Sequence, residues 1–227
     1  MKYLFIFLFI ATCGSQKENK QKESISADFT YLALGDSYTK GESVCSTCNF
    51  PSQLTSALSE DLNKEGTYKR IAETGWTTSD LLNGIAQEQP NSTYDLVTLS
   101  IGVNNQFQGK PFTLYEEEFP ELLEKAIAFS QGDSKRVIVL SIPDYAFTPY
   151  GEKSGKAAKI SKELDAYNTY AKKISEEKNV AFYDITEITR AGLATPELVA
   201  TDGLHPSKEA YRLFVEKIRA EAKKIID

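Results

Sequence analysis

His205 is the single histidine of the chain, and it stands in the run Asp202-Gly203-Leu204-His205-Pro206. Any chemistry that needs an imidazole runs through this residue. Far upstream, Gly35-Asp36-Ser37-Tyr38-Thr39 closes an apolar segment. A serine hydroxyl is a poor nucleophile until a base accepts its proton, and His205 is the only imidazole that Ser37 can use. Asp202 lies three residues before His205, and Gly203 permits a tight turn between them. Its carboxylate is therefore a candidate acceptor for Nδ1, fixing the tautomer that turns Nε2 towards Ser37 and stabilising the imidazolium as it forms. Acyl transfer also needs donors for the developing oxyanion. The N–H groups of Ser37 and Gly75 and the side-chain amide of Asn104 are the candidates. Each motif taken alone also reads as plain turn chemistry, with Ser as a cap, Asp-Gly as a turn former and Gly75 and Asn104 as turn residues at strand ends.

A set so scattered needs elements that bring it together. Short β-branched or aromatic runs predict strands over Phe29–Leu34, Tyr68–Ala72, Leu96–Ile101, Arg136–Ile142 and Val180–Ile185. Three contain nearly continuous apolar runs (Tyr31-Leu32-Ala33-Leu34, Leu96-Val97-Thr98-Leu99 and Val137-Ile138-Val139-Leu140), as strands buried on both faces do. Between them the period is helical. Phe50, Leu54, Leu58 and Leu62 form one stripe; Ile160, Leu164, Tyr167, Ala171 and Ile174 form another; Ala210, Leu213, Phe214, Ile218 and Ile225 form a third. Thr113-Leu114-Tyr115-Glu116 fits a capping box that opens a helix, which Pro120 would kink or restart. Strand and helix alternate about five times, so the fold class is α/β: a three-layer α/β/α sandwich on a five-stranded parallel sheet with right-handed crossovers. In such sheets sites form beyond the carboxyl ends of the strands. Gly35-Asp36-Ser37, Glu73-Thr74-Gly75-Trp76, Gly102-Val103-Asn104-Asn105, Pro143-Asp144-Tyr145 and Asp202–His205 all fall at that edge.

The blocks Gly35-Asp36-Ser37-Tyr38, Gly75, Gly102-Val103-Asn104 and Asp202-Gly203-Leu204-His205-Pro206 occur in the order found in SGNH hydrolases, also called GDSL-type esterases and lipases. The resemblance covers about residues 29 to 215. It implies a Ser37–His205–Asp202 triad, an oxyanion hole from Ser37, Gly75 and Asn104, a flavodoxin-like sheet, and catalysis without a metal or cofactor. Tyr38 departs from the leucine of the family's name, and Asn105 from the aspartate that often follows the family's asparagine. Neither is a catalytic group, although Asn105 bears on loop hydrogen bonding.

Composition bounds the rest. At 227 residues, 41% hydrophobic and 26% charged, the chain suits one globular domain. A formal charge of −6 argues against a nucleic-acid partner. The apolar run Tyr3–Ala11 rises only about 14 Å as a helix, too short to span a bilayer core of roughly 30 Å. It reads as a signal peptide over 1–12, with Ile10-Ala11-Thr12-Cys13 resembling a lipobox in which Cys13 is lipidated, although Thr12 departs from the usual Gly or Ala. The polar segment 13–27 reads as a flexible tether, and 28–227 as the hydrolase domain. The expected location is therefore exported, with the membrane reached only through the lipid anchor. In that setting Cys45 and Cys48 predict a local disulfide rather than a redox motif, and two cysteines with one distant histidine do not make a zinc site.

Trp76 and Tyr145 are the candidate substrate-binding residues, within a set of edge-loop aromatics that includes Phe107, Phe112, Phe147 and Tyr150. No long lid insertion separates the blocks, which favours an open cleft and small esters. The preferred reading is an exported hydrolase of short-chain esters, including acetyl groups on carbohydrates, acting through an acyl-Ser37 intermediate. The alternatives are a lysophospholipase, thioesterase or acyltransferase on the same fold, and a binding protein that keeps the fold without catalysis.

Overall fold

A computed structural model of the protein describes residues 27–227. The leader expected over 1–12 and the lipidation site Cys13 lie outside these residues, as does the tether over 13–27 except Ala27.

Five strands, β1 (Phe29–Gly35), β2 (Gly66–Ala72), β3 (Leu96–Ser100), β4 (Val137–Leu140) and β5 (Ala181–Tyr183), form one parallel sheet in the order β2-β1-β3-β4-β5. The helices are α1 (Ser37–Lys40), α2 (Phe50–Leu62), α3 (Thr78–Glu88), α4 (Val103–Phe107), α5 (Phe112–Phe129), α6 (Pro149–Lys153), α7 (Ala157–Glu177), α8 (Thr186–Arg190) and α9 (Lys208–Ile226). Alternation along the strands divides the core between two faces. Leu32, Leu34, Val97, Leu99, Val137 and Val139 pack under α3, α5 and α7, while Phe29, Tyr31, Ala33, Ile138 and Leu140 pack under α2 and α9. The three-layer sandwich is the architecture that the buried apolar runs predict.

Strand ends differ from the sequence expectation for a local reason. Beyond Ser141, whose N–H still donates to the Tyr183 carbonyl (3.0 Å), side chains take over the backbone: Ile142 N–H donates to Asn168 Oδ1 (2.7 Å), and Ile185 N–H to Ser141 Oγ (2.8 Å). The ladder between β4 and β5 therefore closes early. The capping box expected at Thr113–Glu116 is absent. Helix α5 begins at Phe112, directly after Pro111, without a side-chain cap. A capping box does occur at Thr77 and Asp80, opening α3. Pro120 lies within α5 without ending it. Proline lacks the N–H that would bond the carbonyl of Glu116; Tyr170 Oη on α7 donates to that carbonyl instead, at 2.8 Å.

Two features hold the site-bearing ends. Gly35 at the end of β1 is in register with Ala72 on β2 and Ser100 on β3, so the chain leaves all three strands at one level. A Cβ at Gly35 would lie 2.1 Å from Thr39 Oγ1 and 2.5 Å from the carbonyl oxygen of Ser100, so only glycine allows the sharp passage into α1. Cys45 and Cys48 form a disulfide in the loop between α1 and α2. Closing so short a loop stabilises by about 2 kcal/mol. Among the described residues, no helix is long and apolar enough to cross a membrane, and no group of three or more His, Cys, Asp or Glu side chains is arranged to hold a metal ion.

Candidate active site

Ser37 is the first residue of α1, immediately beyond β1, and is almost fully buried. Asp36 caps that helix by accepting the Tyr38 N–H at 3.0 Å. Burial pushes the Asp36 carboxyl up to about 7, against the hydrogen bonds from the backbone N–H groups of Tyr38 and of Asp36 itself. At the opposite end of the sequence, the segment 198–207 is stitched into a tight loop. Ala200 N–H donates to the His205 carbonyl (2.8 Å), Ser207 N–H donates to the Leu198 carbonyl (2.9 Å), and Val199 pairs with Pro206.

This loop aims His205 at Ser37. His205 Nε2 lies 3.1 Å from Ser37 Oγ, and His205 Nδ1 lies 2.5 Å from Asp202 Oδ2. The other carboxylate oxygen, Oδ1, accepts the N–H groups of Leu204 (2.9 Å) and His205 (3.0 Å), which fixes the plane of the carboxylate. Ser43 Oγ donates to Asp202 Oδ2 at 2.7 Å. Partial burial works against the charged form of Asp202. The hydrogen bonds from the His205 ring, Ser43 and the two backbone N–H groups outweigh it and hold the carboxyl well below the usual carboxylate range. The Tyr38 ring stands edge-on to the imidazole, centroids 5.8 Å apart. Asp202, His205 and Ser37 thus form one hydrogen-bonded chain, an arrangement that can take a proton from the hydroxyl and keep the resulting imidazolium stable.

Three amide side chains around α4 grip the facing loop. Asn104 Nδ2 donates to the Trp76 carbonyl (3.0 Å) and Gln108 Nε2 to the Gly75 carbonyl (2.8 Å). Asn105 bonds Thr78 twice, accepting its N–H at 3.0 Å and donating to Oγ1 at 2.6 Å. Asn105, the departure from the usual aspartate, is fully buried, and both ends of its amide are used on Thr78. The loop so held presents Gly75 at φ +84, a left-handed conformation that suits glycine. Among the described residues, neither Ser37 N–H nor Gly75 N–H donates to a backbone acceptor. Ser37, Gly75, Asn104 and His205 line one hollow of about 190 Å³, completed by residues that include Val103, Phe107, Tyr145 and Leu204.

Of the two candidate substrate-contacting residues, the structure brings only Tyr145 to this hollow. The Trp76 ring turns away to pack on Gly84 of α3, where a Cβ would lie 2.4 Å from the indole. Trp76, expected as a substrate contact, contributes its carbonyl instead, as the acceptor for Asn104, and is not among the residues lining the hollow. Phe107 also lines the hollow. Phe112 packs instead on Tyr115, Tyr167 and Tyr170. Ser43 and Gln108 escaped the sequence reading. Ser43 carries no signal of its own, because it is an exposed loop residue whose position depends on the α1–α2 connection. Gln108 lies four residues after Asn104, one turn further on, and that spacing was a usable cue.

The family model for the GDSL-like lipase/acylhydrolase family matches residues 33–213. The chain is 26% identical over 193 residues to an arylesterase from Vibrio mimicus, covering 84% of this chain and 86% of that protein. Among solved structures, the lipase Lip_vut3 from a goat rumen metagenome superposes with a TM-score of 0.65 at 23% identity, covering 88% of this chain and all of the other. Axe2, an acetylxylan esterase from Geobacillus stearothermophilus, superposes with a TM-score of 0.59 at 18% identity, covering 87% and 95%. At such identities the structural likenesses establish the shared fold.

Proposed function

The chain belongs to the GDSL-like lipase/acylhydrolase family and is a carboxylic ester hydrolase, and we propose that it cleaves short-chain esters through an acyl-Ser37 intermediate. Ser37 Oγ attacks the ester carbonyl carbon while its proton passes to His205 Nε2. The N–H groups of Ser37 and Gly75 and the Asn104 amide bind the oxyanion of the tetrahedral intermediate. Its collapse breaks the bond to the alcohol oxygen, which takes the proton from His205. Water then attacks the acyl-Ser37 carbonyl, again giving its proton to His205. The second collapse releases the acid and returns that proton to Ser37 Oγ. Asp202 holds the imidazole in register throughout and offsets its charge.

The observation that carries this reading is the unbroken chain from Asp202 through His205 to Ser37, at 2.5 and 3.1 Å, opening on a hollow bordered by the three donors. The preference for short acyl groups is supported by the size of that hollow, about 190 Å³. It is also supported by relatives described as an arylesterase and an acetylxylan esterase. Turnover of 4-nitrophenyl acetate, butyrate and octanoate tests it. The highest kcat/KM is expected with acetate, and Ser37→Ala should abolish turnover of all three. A preference for octanoate would overturn the short-chain assignment, and an unchanged rate in Ser37→Ala would overturn the mechanism.

We also propose that the protein is exported and held at a membrane through lipidated Cys13. Fatty-acid labelling of the full chain should vanish in Cys13→Ser, and labelling that persists would contradict the anchor.

A further inference from the structure

A second, larger hollow of about 550 Å³ adjoins the catalytic one, and Phe107 and Tyr145 line both. Among the described residues the exposed large apolar side chains are Phe107 (46%), Tyr150 (45%) and Leu193 (41%), and the first two form a tilted aromatic pair in the lining of this groove, ring centroids 6.0 Å apart. Tyr145 meets Phe107 edge to face at 5.7 Å and is locked by its hydroxyl, which donates to Gln106 Oε1 at 2.8 Å. The aromatic wall is therefore preorganised rather than collapsed into the core.

The charges beside it are positive, in a chain whose formal charge is −6. Lys110, Lys156 and Lys159 line the groove with a single carboxylate, Glu163. That carboxylate is already engaged, by Gln106 Nε2 at 2.7 Å and Lys159 Nζ at 3.7 Å. Among the described residues, Lys110 and Lys156 have no acidic partner. Aromatic rings next to unpaired ammonium groups suit a ligand that is a ring bearing a negative charge.

The mechanism says which part of an ester would lie there. His205 Nε2 delivers its proton to the leaving alcohol oxygen, so the alcohol departs along the His205 wall. Tyr145 and Leu204 line the catalytic hollow together with His205, and Tyr145 also lines the second groove. On the acyl-Ser37 reading, the rest of the small hollow, away from the His205 wall, is left for the acyl group. We propose that the groove lined by Phe107, Tyr150, Lys110 and Lys156 is a leaving-group subsite selecting esters whose alcohol is a ring carrying an anionic group. This inference rests on the acyl-Ser37 reading and extends it to the alcohol side of the substrate.

Two matched pairs of acetyl esters test it on the intact protein: 3-(4-acetoxyphenyl)propanoate against its neutral amide, and acetylated glucuronic acid against acetylated glucose. An exposed ion pair contributes about two- to fivefold, so two of them favour the anionic partner by on the order of tenfold in kcat/KM at low salt. The aryl and sugar pairs show which ring the aromatic wall accepts, and a preference in either supports the subsite. The preference should collapse in the double variant Lys110→Gln/Lys156→Gln, survive in Lys110→Arg/Lys156→Arg, and fade in 1 M salt, where the screening length is about 3 Å. Neutral esters turned over as fast as anionic ones in both pairs would overturn the subsite while leaving the hydrolase reading intact. A preference that outlives the double glutamine variant would overturn the assignment to these lysines. Failure to hydrolyse any of the four esters, neutral ones included, would instead count against the acyl-Ser37 reading itself.

Discussion

Replacing Asp202 by asparagine removes one charge while leaving the loop's shape within reach. The amide oxygen of the new side chain can still accept the N–H groups of Leu204 and His205, which now bond Oδ1 at 2.9 and 3.0 Å. The amide nitrogen then faces both His205 Nδ1 and Ser43 Oγ, where Oδ2 stood at 2.5 and 2.7 Å. Because that nitrogen only donates, Nδ1 must become the acceptor, and the ring proton moves to Nε2. Nε2 then points a proton at Ser37 Oγ, 3.1 Å away, and can no longer take one. The imidazolium formed in the transition state also loses its counter-charge. Two unit charges about 4 Å apart at an effective dielectric constant of about 20 attract by about 4 kcal/mol. Partial exposure of Asp202 reduces this, and the tautomer change adds to it, so kcat should fall by on the order of 10³- to 10⁴-fold. The assay is turnover of 4-nitrophenyl acetate beside a thermal melt of each protein. A Tm within a few degrees of wild type with the large loss of kcat supports a role for Asp202 in fixing the His205 tautomer and offsetting its charge. A rate within tenfold of wild type, with the fold intact, would refute it.

Other consequences follow from single residues. The buried Asp36 carboxyl titrates near 7 in the folded protein and near 3.9 when unfolded, so between these values the folded state holds a proton that the unfolded state has released. Its contribution to stability is therefore greatest at low pH and falls as pH rises from about 4 to about 7. Asp36→Asn, which can still cap Tyr38, should gain a few kcal/mol over wild type across that interval in urea unfolding at pH 4.5 and pH 8; a gain that does not grow with pH would contradict the assignment. Tyr170→Phe removes the donor to the partly buried Glu116 carbonyl that Pro120 leaves open and should cost about 0.5–1.5 kcal/mol. Pro120→Ala restores an N–H for that carbonyl, so in a double-mutant cycle the Tyr170→Phe loss should shrink; strictly additive losses would argue against the compensation. Gly75→Ala meets open space but takes an unfavourable φ of +84, so about 1–2 kcal/mol of stability should be lost. The displaced N–H should lower kcat by on the order of tenfold to a hundredfold. An unchanged kcat would remove Gly75 from the set of donors.

The parts legible in the sequence are those governed by local pattern. Continuous apolar runs such as Val137–Leu140 announce strands buried on both faces, and parallel topology then sends Ser37, Gly75, Asn104 and His205 to one edge. The three-residue spacing of Asp202 and His205 around a glycine already contains their mutual geometry. What was not legible depended on chain segments meeting in space. The direction of the Trp76 ring is set by the gap above Gly84, a residue on the next helix. Pro120 looks like a break until Tyr170, far along the chain on α7, satisfies the carbonyl it exposes. Ser43 reaches Asp202 across 159 positions from an exposed loop at φ 63, with no periodicity or motif to mark it. The threonine–acid spacing at Thr77 and Asp80 was available as a helix start, whereas the similar spacing at Thr113 and Glu116 lies inside the turn that Pro111 had already begun.

Under the proposed mechanism, Ser37 becomes covalently acylated because His205 and Asp202 activate it. Treatment with a fluorophosphonate that reacts only with activated serines, followed by peptide mapping by mass spectrometry, tests this directly. One adduct per chain on Ser37 is expected, matched in time by loss of ester turnover and absent after His205→Ala. An adduct on another serine that accounts for the lost turnover, or equal labelling of Ser37 without His205, would contradict the account.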